Sequence, residues 1–370
     1  MTEKLKGGVV GLGKMGLLHA AIINSLDDTR LACLTEASSI IRNTAQSLNE
    51  KVHFYKDFSE MLDQGKPDFV FIATPPSSHI ELALQCAKRG IPFFVEKPLA
   101  MSADEIEPLL NALRDRPVPN MVGFMLRYLA PFSELNKFLK TDSESAGVPL
   151  YFNATTYVSQ MFRKGKGWRF NRGESGGGVL MAQAIHAVDL IVWYFGMPDT
   201  VAAVGASPYS GTVEDFGHIV FTWKSGLQGW LDSSWSVDNH RLLETRISVT
   251  TTTGTYAADD DVFSSFQRPI EYGDSGTIRL KTKSEMFSGV PVDIGGTHYT
   301  AQDMDFIESI RAGRSPESDV RNAYHVQQIM DSIYYSMSHN GEPVGIGNLK
   351  KSLGFWKSLG KLLRGGRFES

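Results

Sequence analysis

Phe93-Phe94-Val95-Glu96-Lys97-Pro98 joins three strand-forming residues to an acid, a base and a proline. Aromatic and β-branched side chains suit a pleated, buried surface, whereas a carboxylate and an ammonium are costly to bury. The run reads as a buried strand that ends where it meets polar surroundings. In an open α/β sheet, ligands bind at the carboxyl ends of the strands. Glu96 and Lys97 are then expected at that rim, with Pro98 fixing the turn. Acid–base pairs are also common on solvated surfaces, so the assignment depends on the sequence around it.

Upstream, the short apolar run Gly8-Val9-Val10 enters Gly11-Leu12-Gly13-Lys14-Met15-Gly16 and then Leu17, Leu18, Ala20, Ala21, Ile22 and Ile23. This is G-x-G-x-x-G between a strand and an apolar helix, the context in which the motif is informative. Gly11 permits a tight turn, Gly13 lets the backbone approach a pyrophosphate, and Gly16 lets helix and strand pack closely. The free N–H groups of the helix start suit phosphates. A second strand, Leu31 to Thr35, ends at Glu36, 20 residues past Gly16. An acid there meets ribose hydroxyls and repels a 2′-phosphate, which favours NAD. Arg42, six residues on, leaves room for NADP.

Asp68 to Ala73 is another buried strand, followed by the loop Thr74-Pro75-Pro76-Ser77-Ser78-His79. Ser77 or Ser78 is expected to cap the next helix, and Ser102-Ala103-Asp104-Glu105 has the form of a capping box. Met121 to Phe124 reads as the last strand of a first domain spanning 1–124. The second half, 125–347, is sheet-rich: Leu150–Val158, Val201–Ala206, His218–Trp223, Leu227–Trp235 and Thr245–Thr252 are strand-like. Tyr151, Trp223, Trp230 and Trp235 are expected to pack that sheet against helices or another subunit. Asp259-Asp260-Asp261 reads as a solvated loop, and 262–298 show no assignable pattern. Helices are expected at Asp303–Arg311 and Tyr324–His339. Gly176-Gly177-Gly178 opens a helix from Val179 to Phe195 whose apolar residues fall on nearly every face, so it is expected to be buried. His186 and Asp189 are its ionisable residues, one turn apart.

In that order, the glycine motif, the acid after the second strand, Ala73-Thr74-Pro75-Pro76…His79, Glu96-Lys97-Pro98 and Gly176-Gly177-Gly178-Val179-Leu180…Ile185-His186-Ala187-Val188-Asp189 resemble the Gfo/Idh/MocA family of oxidoreductases, over about residues 7 to 346. The resemblance implies an α/β chain with an N-terminal Rossmann dinucleotide-binding domain. A C-terminal α+β domain with an open, mostly antiparallel sheet would follow. It implies an NAD(P)-dependent dehydrogenase or reductase acting on CH–OH groups of sugars or cyclitols. Lys97 and His186 match its catalytic positions. Gly11, Gly13, Lys14, Met15, Gly16, Glu36, Thr74, Pro75, His79, Glu96 and Lys97 are the expected cofactor contacts, with Glu96 near the nicotinamide ribose. Arg127, Tyr128, Arg163, Trp168, Arg169 and Gln183 are the expected substrate contacts; guanidinium suits hydroxyls or a carboxylate, and indole suits a sugar face. Many relatives carry an acid or amide four residues before the histidine, where this chain has Ala182. Asp215, His218 and Tyr299 are candidate substitutes. Two other readings of the resemblance are an NAD-using glycosidase acting by transient oxidation and a non-catalytic dinucleotide sensor.

Composition agrees with this picture. Two domains fit 370 residues, and a net charge of −4 gives no reason to expect nucleic acid. Two cysteines, Cys33 and Cys86, show no metal-ligand spacing and point to a reducing, cytoplasmic setting. No metal is expected. Lysines at positions 4 and 6 precede no long apolar run, so no signal peptide is expected, and no stretch is expected to approach the length of a transmembrane helix. The basic, amphipathic tail 348–370 is expected to pack on protein rather than to insert in lipid, and the C-terminal sheet is expected to assemble a homodimer or homotetramer.

Overall fold

The computed structural model describes residues 3–38, 52–141, 143–269, 275–286 and 289–347. The expectations for Arg42 and for the tail 348–370 lie outside these residues. The chain divides into two compact units, Met1–Tyr128 with Gly289–Tyr324, and Leu129–Ser288 with His325–Ser370.

The first unit holds a six-stranded sheet. Its strands are β1 (Leu5–Val10), β2 (Thr29–Thr35), β3 (His53–Tyr55), β4 (Phe69–Ile72), β5 (Phe93–Val95) and β6 (Asn120–Val122), in the order β3-β2-β1-β4-β5-β6. All neighbours pair in parallel. Parallel strands covered on both faces need continuous apolar runs, which is what Phe69-Val70-Phe71-Ile72 and Phe93-Phe94-Val95 supply, all fully buried. Helices α1 (Lys14–Ser25), α2 (His79–Arg89) and α3 (Ala103–Asp115) connect the strands. The expected capping box at α3 does not close. Ser102 makes no side-chain cap, and Glu105 instead accepts the Met101 N–H at 3.2 Å.

Beyond residue 124, the first unit also takes in residues 125–128 and 289–324. The helix Thr297–Ala312 returns to the first unit and inserts Phe306 edge-on against Phe69, Phe71 and Phe94, with ring centroids 6.2, 5.4 and 6.1 Å away. The next segment runs along β6. The Val122 N–H donates to Ser318 O at 2.7 Å, Ser318 Oγ to Val122 O at 3.0 Å, and the Val320 N–H to Asn120 Oδ1 at 2.8 Å. It satisfies an edge that would otherwise stay open.

The second unit carries a nine-stranded sheet: β7 (Pro149–Tyr157), β8 (Thr200–Ala206), β9 (Phe216–Thr222), β10 (Gln228–Ser234), β11 (Glu244–Thr251), β12 (Gly254–Asp259), β13 (Val262–Gln267), β14 (Thr277–Thr282) and β15 (Val344–Gly345). Their order is β14-β13-β12-β11-β7-β10-β9-β8-β15, and only β7 and β10 pair in parallel. One face is covered: Phe152, Ile219, Phe221, Leu231, Ile247 and Val249 are buried. On the other face Tyr151 and Trp230 stack at 6.3 Å and are each more than two-fifths exposed. Trp223 and Trp235 lie in the core.

The unassigned 262–298 contain β13 and β14. Every residue of β14 is exposed, so it has no buried face to leave a period in the sequence. The acidic run after β12 is partly built into a turn. Asp259 Oδ1 accepts the Asp261 and Val262 N–H groups, and Asp260 Oδ2 accepts that of Thr245. Burial pushes the Asp260 carboxyl up to about 7. The helical stretch Arg172–Phe195 is, against expectation, long and apolar enough to cross a membrane, but most of it is buried inside the protein. It contains a π-turn, Leu180–Ala184, before the α-helix Ile185–Phe195.

Candidate active site

The glycine loop lies at the carboxyl end of β1. Gly11 has φ +87°, and a Cβ there would stand 2.6 Å from Ala73 O. A Cβ on Gly16 would stand 1.8 Å from Gly11 O, so helix and loop meet backbone to backbone. Gly13 differs: nothing lies within 4 Å of where its Cβ would be. Gly13 and Lys14 are exposed, and Met15 is half-buried. The first-turn N–H groups of α1 have no carbonyl within the helix, and the open space over Gly13 gives an anion backbone-close access to them. Glu36, at the end of β2, holds this loop. Its Oε2 accepts the Leu12 N–H at 2.8 Å and its Oε1 the Ser38 N–H at 2.8 Å. The donor set, glycine backbone amides with a carboxylate beside them, fits a dinucleotide's pyrophosphate and adenosine ribose.

At the next strand ends, Thr74 Oγ1 meets Ser78 Oγ at 2.7 Å, and Ser78 Oγ donates to Pro75 O at 2.9 Å, so neither serine caps α2. His79 is buried. Its Nδ1 lies 2.8 Å from Pro98 O and its Nε2 2.8 Å from Thr74 O. Burial holds the ring below its ordinary value against the pull of the two carbonyls. Its role in the fold is therefore to tie the Thr74 loop to the Lys97-Pro98 turn, whose peptide bond is cis.

Glu96 and Lys97 leave β5 side by side, Lys97 half-buried and Glu96 buried. Both Glu96 oxygens are engaged. Oε1 lies 3.1 Å from His19 Nε2, and Oε2 accepts the Lys97 N–H at 3.1 Å. His19 Nδ1 faces Asp303 at 2.8 and 3.0 Å. Burial acts to lower the His19 pKa, but Asp303 and Glu96 outweigh it and raise the ring to about 10. Burial likewise pushes Glu96 up, and the His19 and Lys97 charges bring it below the carboxylate range. The stabilisation from the charged ring is fully present below its ordinary pKa near 6.5 and is lost as pH rises through about 10. His19 and Asp303 were not singled out from sequence. The available signal was one ionisable residue within the apolar start of α1.

In the second unit the glycine run serves packing. A Cβ on Gly177 would meet Tyr334 Oη at 1.8 Å, and one on Gly178 would meet Glu214 O at 2.0 Å. Buried Glu214 accepts the Gly178 N–H at 2.7 Å, the Leu180 N–H at 3.2 Å and the Tyr334 hydroxyl at 2.8 Å, a carboxylate at a helix start. His186 and Asp189 are both buried on the helix that follows. The π-turn before His186 means that the four-residue spacing from Ala182 no longer assures a shared face.

Of the proposed substitutes, Asp215 is committed to the Tyr209 and Ser210 N–H groups and to Trp235 Nε1. His218 pairs with Asp232 at 2.7 Å on the sheet face opposite Gly217, which abuts Leu180. Tyr299 belongs to the first unit, where burial and the Glu96 charge push its hydroxyl up to about 12. Arg127 is buried and donates to Glu317 O at 2.9 Å, while Tyr128 donates to Asp305 at 2.7 Å. Both bonds lie within the first unit. Arg163, Trp168 and Arg169 are exposed, with the Arg169 guanidinium 5.5 Å from the Trp168 ring, and Gln183 is half-buried in the π-turn.

Residues 5–124 match the model of the Gfo/Idh/MocA oxidoreductase family, NAD-binding Rossmann fold, and residues 140–257 match the GFO/IDH/MocA C-terminal domain. Myo-inositol 2-dehydrogenase of Thermotoga maritima is 24% identical over 324 residues, covering 84% of this chain and 89% of that protein. D-apiose dehydrogenase of Paraburkholderia graminis is 22% identical over 353 residues, 94% and 92% of the two chains. The fold is that of a levoglucosan dehydrogenase solved with NADH and levoglucosan, with TM-score 0.81, 22% identity and coverage of 94% of this chain and 100% of that one.

The two glycines separate packing from ligand access. Gly16→Ala is expected to lower the unfolding free energy by about 1–3 kcal/mol or more. Gly13→Ala is expected to leave the melting temperature of the free protein unchanged while weakening NAD binding about tenfold. Melting curves with and without NAD check both.

Proposed function

Because the chain belongs to the Gfo/Idh/MocA family of NAD-binding oxidoreductases, we propose that it transfers hydride between NAD and a hydroxyl-bearing carbon of a sugar or cyclitol, with Lys97 and His186 handling the proton. The observation that carries this reading is Lys97 itself. It is the second residue past a buried strand, at the carboxyl edge of the sheet that also bears the glycine loop, and the Glu96 carboxylate holds its backbone. The inositol and sugar dehydrogenases among the relatives supply the substrate class.

Bound NAD supplies the hydride acceptor. The chain's own residues must then take the hydroxyl proton as the C–H bond breaks and C=O forms. An amine or an imidazole suits that step because each can exchange a proton without rearrangement of its frame. Lys97 would bind the reacting oxygen, and His186 would accept the proton. Glu36 beside the glycine loop favours the ribose diol of NAD over the 2′-phosphate of NADP. The exposed sheet face with Tyr151, Val220 and Trp230 is proposed to be covered by a second copy of the chain, since apolar patches of this kind mark interfaces.

NADH formation is to be followed with myo-inositol, D-apiose and levoglucosan. Lys97→Ala and His186→Ala are each expected to cut turnover about 10²-fold or more with NAD affinity little changed. Near-full turnover in His186→Ala would make that histidine a core residue. Turnover by neither the chain nor its variants would favour a sensor, a reading that Ala182 leaves open. NAD is expected to bind more tightly than NADP, and Glu36→Ala to narrow the gap about tenfold, the scale of a charged hydrogen bond; tighter NADP binding by the unmodified chain overturns this. Sedimentation is expected to show a dimer or tetramer that Trp230→Glu dissociates; a monomeric unmodified chain refutes the sheet interface.

A further inference from the structure

The helix that starts at the glycine loop carries a fully buried imidazole. His19 lies 4.9 Å from the Phe71 ring and 4.9 Å from the Phe94 ring. Its two nitrogens face carboxylates from distant parts of the chain, Asp303 on one side and Glu96 on the other. An ionised carboxylate only accepts hydrogen bonds, so contact with both requires an N–H at each nitrogen. The relay continues past Glu96, whose second oxygen takes the Lys97 N–H. Gly123 leaves the room for this: a Cβ there would stand 3.1 Å from Glu96 Oε2.

We infer that His19 is a positioning residue for Lys97: braced by Asp303, its charged ring fixes the Glu96 carboxylate, and Glu96 fixes the backbone from which the lysine side chain departs. This rests on the reading of Lys97 as the residue that meets the substrate. A purely structural role accounts less well for the arrangement. A leucine or methionine at position 19 would fill the space against Phe71 and Phe94 without burying charge, and buried ionic groups are often replaceable by apolar ones at no loss of stability. Ionic groups kept in a core at such cost are expected where geometry matters more than stability. A lysine acting at a reacting oxygen is such a case, because a displacement of about 1 Å can cost about 10²-fold in rate. The ring also sits one turn past Gly16 on α1, so the same helix that presents its N-terminus to a dinucleotide also braces the reactive end of β5.

The test is a kinetic double-mutant cycle on the full-length enzyme with NAD and the fastest sugar of the panel, comparing His19→Gln, Glu96→Gln and the pair. Each single variant is expected to lower kcat about tenfold or more, and His19→Gln is expected to change KM and the NAD dissociation constant by less than about threefold. The double variant is expected to be no slower than Glu96→Gln alone, because groups acting through one another are not additive. Asp303→Asn, which removes the brace but keeps the Glu96 contact, is expected to show an intermediate loss. In the unmodified protein, the ¹⁵N shifts of His19 are expected to report a doubly protonated ring at pH 8. The inference is overturned by a neutral ring at pH 8, by losses that multiply in the double variant, or by a His19→Gln enzyme that melts earlier yet keeps its kcat. Lys97→Ala, run alongside, keeps the two failures apart. Full turnover there removes the role of Lys97, whereas loss there with normal His19→Gln kinetics removes only that of His19.

Discussion

A cation enclosed among aromatic rings must be matched by anions within hydrogen-bonding distance, or it will not stay charged. In the nucleotide unit that constraint is met at His19, and meeting it brings together three stretches far apart in sequence. The helix after the glycine loop supplies the ring, the end of β5 supplies Glu96, and the helix Thr297–Ala312 supplies Asp303. The phenylalanines around it complete the arrangement, with Phe71 and Phe94 stacked at 4.6 Å and Phe306 closing them from the side. Core packing and the placement of the polar rim are thus one structural problem rather than two.

The glycines show how backbone geometry divides labour within one motif. Gly11 and Gly16 are required by contacts inside the protein, and Gly13 by space left outside it. Gly177 and Gly178 before the His186 helix are of the first kind, since Tyr334 and Glu214 occupy the volume that side chains would need. A glycine-rich entry to a helix therefore carries no phosphate-binding meaning of its own. The neighbouring atoms decide it.

Much of this was legible in the sequence because it is local. The buried runs of β4 and β5 declare a parallel sheet, the glycine spacing declares the loop, and the abrupt change at Glu96-Lys97 declares a rim. What was not legible has long reach or no period. The His19–Asp303 pair spans 284 positions, and neither residue shows its partner. β14 has no buried face. The π-turn at Leu180–Ala184 adds a residue to a helix whose apolar sequence is equally consistent with plain α geometry. The bonds of Arg127 to Glu317 and of Tyr128 to Asp305 span 190 and 177 positions, and neither residue shows its partner.

The return of residues 289–324 to the first unit also bears on the order of assembly. During synthesis the six strands emerge well before Asp303, Phe306 and the segment that lines β6. Until those arrive, the ring of His19 has one carboxylate instead of two, the phenylalanine cluster lacks a wall, and an edge strand stands open. A nascent chain in that condition is the kind of partly formed species that pairs wrongly with others. The nucleotide unit, although its strands come first, is completed only once residues 289–324 have been made.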